Sequence, residues 1–297
     1  MNLPRKLHKL NLISKVNSLS RCAILCQKWN HTDQSTQELQ SEKTTHFGFE
    51  TVQEEEKTGK VYEVFENVAK SYDTMNDAMS FGIHRLWKDI FIDRLGPTHD
   101  TKLLDVAGGT GDIAFRFLNT VDNLSSKQCA AHVTVSDINR AMLDVGEQRA
   151  RDLFKIELPH PRIQFLEANA EELPIEDKSY SAYTIAFGIR NVTHIDKALR
   201  EAYRVLRPGG RFLCLEFSHV NNSALQWAYD QYSFQVIPVM GQLIAGQWKP
   251  YQYLVESIRQ FPNQEEFKQM IQSAGFEYVT YENLTFGVVA IHSGFKL

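Results

Sequence analysis

The sequence predicts an α/β protein: a seven-stranded, mostly parallel, doubly wound sheet that ends in an antiparallel hairpin and carries an N-terminal helical cap. Three observations carry that prediction. From residue 101 onward short β-rich runs alternate with helical patterns, the layout of a parallel sheet covered on both faces. A 3.6-residue stripe of Ile195, Ala198, Leu199, Ala202, Val205 and Leu206 marks one covering helix, which Pro208-Gly209-Gly210 then ends. Near the C-terminus, Phe276 to Leu284 and Val288 to Ser293 are β-type runs separated only by Thr285-Phe286-Gly287, and so short a link forces a hairpin.

Taken in order, the first thirty residues carry Arg5, Lys6, Lys9, Lys15, Arg21 and Lys28, with no acid before Asp33. Leu3, Leu7, Leu10 and Ile13 recur among these cations at helical spacing. That bias is expected of a mitochondrial transit peptide, so residues 1–45 read as a transit peptide followed by a polar linker; a disordered basic tail is the plainer alternative. Residues 46–100 read as the helical cap, with Tyr62, Phe65, Ala69 and Tyr72 on one face. Residues 101–297 form the main domain, with strands at Leu103 to Ala107, His132 to Asp137, Ile163 to Ala168, Ala182 to Phe187 and Arg211 to Phe217. A helical insertion is expected at about 222–258, and a last helix opens with the capping-box pair Asn263 and Glu266 and closes at Gly275. Cap and insertion together can cover the carboxyl ends of the strands, where open α/β sheets bind ligands.

Composition narrows the function classes. At 297 residues, 43% hydrophobic and 23% charged, the chain can bury an ordinary core. A net charge of -4 without a basic stripe argues against nucleic acid as a partner. Cys22 and Cys26 lie in the leader, and Cys129 and Cys214 can form neither a disulfide framework nor a metal site by spacing. No apolar run approaches the roughly 18 to 20 residues of a spanning helix, so any membrane contact is expected to be peripheral.

The chemistry begins at Asp105-Val106-Ala107-Gly108-Gly109-Thr110-Gly111-Asp112, after the first strand of the main domain. Its glycines let the backbone turn tightly and approach a ligand at a helix N-terminus, with Gly109 and Thr110 in the turn itself. The spacing is not Gly-x-Gly-x-x-Gly, so the pyrophosphate fingerprint is missing, and Asp105 can receive the ammonium of a methionine moiety. The next strand ends at Asp137, a carboxylate able to accept both ribose hydroxyls, or else a cap for the helix near Arg140. The third ends at Asn169 and Ala170, where an adenine edge would lie, although Asn169 also suits a turn. In order at successive strand ends, these features point to S-adenosylmethionine as methyl donor, in a reaction that needs no metal.

Two further segments carry a resemblance. Tyr72-Asp73-x-Met75-Asn76-x-x-Met79-Ser80-x-x-x-His84-x-x-Trp87 and Arg204-Val205-Leu206-Arg207-Pro208-Gly209-Gly210-x-x-x-x-x-Glu216-x-Ser218 are similar to the signatures of the ubiquinone and menaquinone biosynthesis C-methyltransferases. The likeness runs from about Thr45 to the C-terminus and includes Phe187-Gly188-Ile189-Arg190-Asn191-Val192-Thr193; Arg207 replaces a usual lysine, and Ala186 stands where bacterial members often carry serine. The resemblance implies transfer of a methyl group to a ring carbon of a polyprenyl benzoquinol, and the mitochondrial leader selects coenzyme Q synthesis over menaquinone. It further implies a place on the matrix side of the inner membrane, peripheral membrane contact, other subunits of a coenzyme Q biosynthetic complex as partners, and room for a homodimer.

Ring methylation needs a base, a group to stabilise the phenolate, and in-line positioning. Arg190 is the expected holder of the quinol oxygen, with Asn191 fixing the same oxygen or a water. A structural strand-end contact is the alternative for both. Tyr72 and His84 are the candidates for proton acceptor or substrate hydrogen bonding, against a core tyrosine and a histidine that caps a helix or pairs with an acid. His292 reads as structural. The stretch from Leu225 to Trp248 is expected to line an isoprenoid groove, with Val236 and Ile237 in its wall and a membrane-facing mouth. Two competing readings are a scaffold that keeps the fold only for docking, and a dinucleotide oxidoreductase, which the glycine spacing and the hairpin disfavour.

Overall fold

The structure, a computed structural model, describes residues 44–68, 72–124 and 129–297. The transit-peptide reading, with Cys22 and Cys26, and Ala69 of the cap stripe lie outside the described residues. The described chain opens with two short strands, β1 (Thr44–Phe47) and β2 (Glu50–Gln53), paired as a two-stranded sheet. This corrects the expectation of a purely helical cap. Four-residue strands with mostly exposed side chains leave too little alternation to read, and the turn between them rests on Gly48 at a φ of 60°. Three helices follow: α1 (Glu54–Val68), α2 (Tyr72–Ser80) and α3 (Ile83–Leu95).

The main sheet comprises β3 (Lys102–Val106), β4 (His132–Asp137), β5 (Ile163–Glu167), β6 (Tyr180–Ala186), β7 (Leu206–Phe217), β8 (Glu277–Leu284) and β9 (Val289–Phe295), in the order β5-β4-β3-β6-β7-β9-β8. The first five are parallel, and β9 runs antiparallel between β7 and β8. Successive side chains of β3 show why the sheet needs cover on both sides. Leu103 packs with Phe91, Phe117 and Leu143 of α3, α4 (Asp112–Asp122) and α5 (Arg140–Phe154). Leu104 packs with Leu199 and Ile271 of α6 (Ile195–Val205) and α10 (Gln264–Ser273). Both leucines are fully buried, each contributing about 1.5 to 3 kcal/mol, so a charge at either position would split a layer.

The stripe helix ends at Val205, one residue short of its stripe, and the breaker after it is not a loop. Leu206 is already extended, and β7 takes in Pro208-Gly209-Gly210, with the β6 register shifting from Tyr180↔Leu206 to Ala182↔Arg211. Antiparallel bonds to the C-terminus hold this segment: Gly209 N donates to Lys296 O at 2.7 Å, and Lys296 N to Gly210 O at 2.9 Å. The capping box of α10 is realised, with Asn263 and Glu266 each accepting from the other's backbone.

Between β7 and α10 the chain forms α7 (Ser223–Gln231), a π-helical turn (Tyr232–Val236), α8 (Ile237–Ala245) and α9 (Lys249–Gln260). Among the described residues, no helix is long and apolar enough to cross a membrane. The chain steps from β3 outward to β4 and β5, then crosses to β6 and β7 on the other side. Order therefore reverses between β3 and β6, and the carboxyl ends at that point open the ligand crevice.

Candidate active site

The crevice divides into two cavities that share Phe65, Lys88 and Phe187. The first surrounds the glycine turn. After β3 the backbone takes positive φ at Ala107 (51°), Gly109 (51°) and Gly111 (82°). A Cβ on Gly108 would lie 2.7 Å from Val135 Cγ1 and 2.8 Å from Asp105 Oδ2, so the close approach of turn to sheet excludes a side chain there. Two bonds tie the turn to the end of β4: Gly108 N donates to Ser136 O at 3.0 Å, and Gly109 N to Asp137 Oδ2 at 2.9 Å. Thr110 is buried and its hydroxyl accepts from Arg149 at 2.9 Å.

Asp105 has no solvent exposure. Its Oδ1 accepts from the Thr184 hydroxyl at 2.8 Å, while Oδ2 has no partner, and burial pushes its pKa up to about 7. Such an oxygen beside a cleft suits an incoming cation. Asp137 accepts from Gly109 N with one oxygen and from Asn139 N at 2.9 Å with the other, and burial raises its pKa to about 6. Each oxygen retains a lone pair for a ribose hydroxyl. The capping alternative for Asp137 fails, because Asn139 caps α5 by accepting from Met142 N at 3.2 Å. Asn169 does form the turn that was its alternative, its Oδ1 accepting from Glu171 N at 3.0 Å, yet it lines the cleft beside the buried Ala170. The group therefore fits S-adenosylmethionine: an orphan acid oxygen for the ammonium, a turn stripped of side chains, a carboxylate for the ribose, and Asn169 with Ala170 where the base would lie.

The second cavity is more apolar and is walled by the cap and insertion, with Met75, Met79, Tyr232, Ile237, Tyr251 and Leu254 among its lining. Ile237 lies in that wall, whereas Val236 is part-exposed and is not among the lining residues. The 3-10 turn Ile189–Asn191 after β6 sends Arg190 into the second cavity and Asn191 into the first. Arg190 Nη1 donates to Phe187 O at 2.5 Å and pairs with Glu216 Oε1 at 2.9 Å, both side chains being nearly inaccessible to solvent. Its Nε is buried without a partner, and the guanidinium lies 5.5 Å from the Phe217 ring centre. Burial raises the Glu216 pKa against the opposing pull of Arg190. Asn191 Oδ1 accepts from the Tyr253 hydroxyl at 3.0 Å, which fixes the amide, and burial lifts Tyr253 to about 12.

His84 lines the second cavity and is buried, which lowers its pKa. Ser80 gives its proton to Asn76 O at 2.6 Å, so the 2.8 Å contact between Ser80 Oγ and His84 Nδ1 has the ring as donor. Nε2 is then the basic nitrogen, 3.8 Å from Asp77 Oδ1. Tyr72 opens α2, and its side chain lies outside the described residues. His292 is buried inside β9, with Nε2 against Gln264 O at 2.9 Å and its pKa lowered by burial to about 4, away from both cavities.

Sequence reasoning passed over Glu216, Tyr253 and Lys88. Glu216 stood in a quoted motif without a role, and Tyr253 followed the stretch read as a groove. Lys88 adjoins Trp87 of the first signature; it is 6% exposed and pairs with Asp112 at 2.6 Å.

This sheet order and strand-end site define a class I S-adenosylmethionine methyltransferase. Solved structures agree on the fold: a SAM-dependent methyltransferase from Thermotoga maritima (TM-score 0.54, 18% identity, 80% of this chain and 99% of that one), and a phosphoethanolamine N-methyltransferase from Haemonchus contortus (0.51, 17%, 70% and 52%). The model of the ubiE/COQ5 methyltransferase family matches residues 50–296, and the chain belongs to that family. Curated relatives named "2-methoxy-6-polyprenyl-1,4-benzoquinol methylase, mitochondrial" include one from Drosophila melanogaster, 61% identical over 94% of this chain and 98% of its own, and one from Homo sapiens, 59% identical over 85% and 84%.

Proposed function

We propose that this methyltransferase transfers a methyl group to a ring carbon of 2-methoxy-6-polyprenyl-1,4-benzoquinol in ubiquinone biosynthesis, as the names of its relatives suggest. The observation that carries the reading is the meeting of a polar donor cleft and an apolar cavity at Phe65, Lys88 and Phe187. S-adenosylmethionine, when bound, supplies an electrophilic methyl on a sulfonium. Asp105, Gly109, Thr110, Asp137, Asn169 and Ala170 hold the donor. Arg190, stationed by Glu216, presents its remaining N–H groups to the phenolate and acts by stabilising the anion rather than by taking the proton. Asn191, its carbonyl held by Tyr253, keeps its amide N–H groups for the same oxygen or a water. His84, kept neutral by burial, is the favoured proton acceptor over Tyr72, with Asp77 near enough to stabilise the imidazolium.

The same reading makes residues 1–45 a transit peptide and linker, 46–100 a cap, and 101–297 the catalytic domain with its insertion at about 222–258; β1 begins at the end of the linker and runs into the cap. It places the protein on the matrix side of the inner membrane among other coenzyme Q biosynthetic subunits, with a homodimer compatible. Support for membrane contact comes from exposed apolar side chains: Phe81 is 79% exposed and packs on Tyr232 of the cavity wall, and Leu243, on the helix α8 that begins with the lining residue Ile237, is also 79% exposed. The deciding experiment incubates the protein with a reduced demethyl benzoquinol analogue and isotope-labelled methyl donor, then locates the label by mass spectrometry. Label on a ring carbon is expected; label on oxygen would overturn the assignment.

A further inference from the structure

We propose that Lys88 binds the carboxylate of the donor's methionine arm. The inference rests on the first cavity being the donor site. That arm carries an ammonium and a carboxylate on one carbon, so a site that binds it well must answer both charges within a few ångströms. Asp105, with its orphan oxygen, answers the ammonium. Besides Lys88, the charged side chains of the described lining are Asp105, Asp112, Asp137 and Glu171, all acids, so a carboxylate not answered by a cation would be repelled there.

Lys88 is the one basic side chain among the described residues lining that cleft. A lysine only 6% exposed needs a purpose, since such burial costs free energy unless the ammonium is fully engaged. Asp112 Oδ2, at 2.6 Å, uses one of its three protons and leaves two. Asp112 starts α4 directly after the glycine turn, and Arg116, itself also paired with Asp89 at 2.7 Å, takes its other oxygen, so the acid anchors the lysine beside the turn. Arg149, the other cation at the turn, is occupied with the Thr110 hydroxyl and the Phe115 ring. Lys88 also borders the second cavity, so a carboxylate held there sets the sulfonium end of the donor at the boundary where the ring must approach.

Decarboxylated S-adenosylmethionine separates a ligand-binding lysine from a structural one. In calorimetric titrations the wild-type protein is expected to prefer S-adenosylmethionine over the decarboxylated form by about 10- to 100-fold, the range for a hydrogen bond to a charged group. K88M should lose that preference, weakening S-adenosylmethionine by the same factor while keeping the decarboxylated ligand within about threefold. Lys88→Arg should retain most of it. Equal weakening of both ligands in K88M would show that Lys88 only props Asp112 and would overturn the proposal. If K88M does not fold, the wild type decides alone, because equal affinity for the two ligands overturns it as well. Absence of any S-adenosylmethionine binding by the wild type would instead sink the donor-site reading itself.

Discussion

The two cavities are built on different principles. The donor cleft rests on the ends of four adjacent parallel strands, β5, β4, β3 and β6, and its key groups are backbone turns and carboxylates fixed by hydrogen bonds to that backbone. The acceptor cavity is walled by helices from the cap and the insertion, about 150 residues apart in sequence, joined by apolar packing and a few contacts such as Tyr232 Oη to Met79 O at 2.8 Å. A universal donor can be met by rigid, local geometry, whereas a particular acceptor has to be enclosed by variable elements laid over the same frame.

The sharpest test of that division is Arg190→Ala. Loss of one preorganised charge donor should lower kcat by about 100- to 1000-fold, with donor affinity unchanged in calorimetry. An equal fall in donor affinity would show that the two halves are not separable at this turn. On the donor side, Asp105→Asn should weaken S-adenosylmethionine by about 10- to 100-fold. The pH dependence follows from the same residue: burial holds its pKa at about 7, and the ammonium prefers the ionised form, so wild-type affinity should fall by about tenfold per pH unit below 7 and level off above it. D105N should abolish that slope, and a slope that persists would assign it to another group.

Stability obeys the opposite sign. A buried aspartate with a raised pKa binds its proton in the folded state when the unfolded chain has lost it, so apo stability should decline as pH rises from about 4 to 7, and D105N should flatten that decline in thermal melts. Gly108→Ala tests the frame rather than the charge: its Cβ would press on Val135, and about 1 to 3 kcal/mol of stability should be lost in denaturant titrations. The smallest effect is expected on the acceptor side. Tyr253→Phe removes one hydrogen bond to Asn191, about 1 kcal/mol, and should reduce kcat by less than tenfold with Tm nearly unchanged.

The same contrast explains what could be read in the sequence. Strand ends, the terminal hairpin and the Asn263 capping box are local devices, each specified within a few residues, and Asp105, Asp137 and Asn169 are legible because each stands at the end of a β-type run. Glu216, Tyr253 and Lys88 acquire meaning only from partners 26, 62 and 24 residues away. Burying a charge is legible in coordinates and not in composition; nothing in Trp87-Lys88-Asp89 says which neighbour the lysine meets. The β1–β2 pair escaped for another reason, having too few buried positions to impose a period.

One consequence lies in the 3-10 turn that carries Arg190 and Asn191. Both residues hang from the end of β6, but their supports differ: Arg190 is held by Phe187 and Glu216 of the sheet region, whereas Asn191 is held by Tyr253 of the insertion helix α9. On the proposed function, a long-tailed ring that shifts the covering helices on entering leaves Arg190 in place on the sheet, while Asn191 moves with its Tyr253 anchor. Alignment then has one part that stands still and one that travels with the cover, so a substrate that enters badly still meets the fixed Arg190 before any methyl moves.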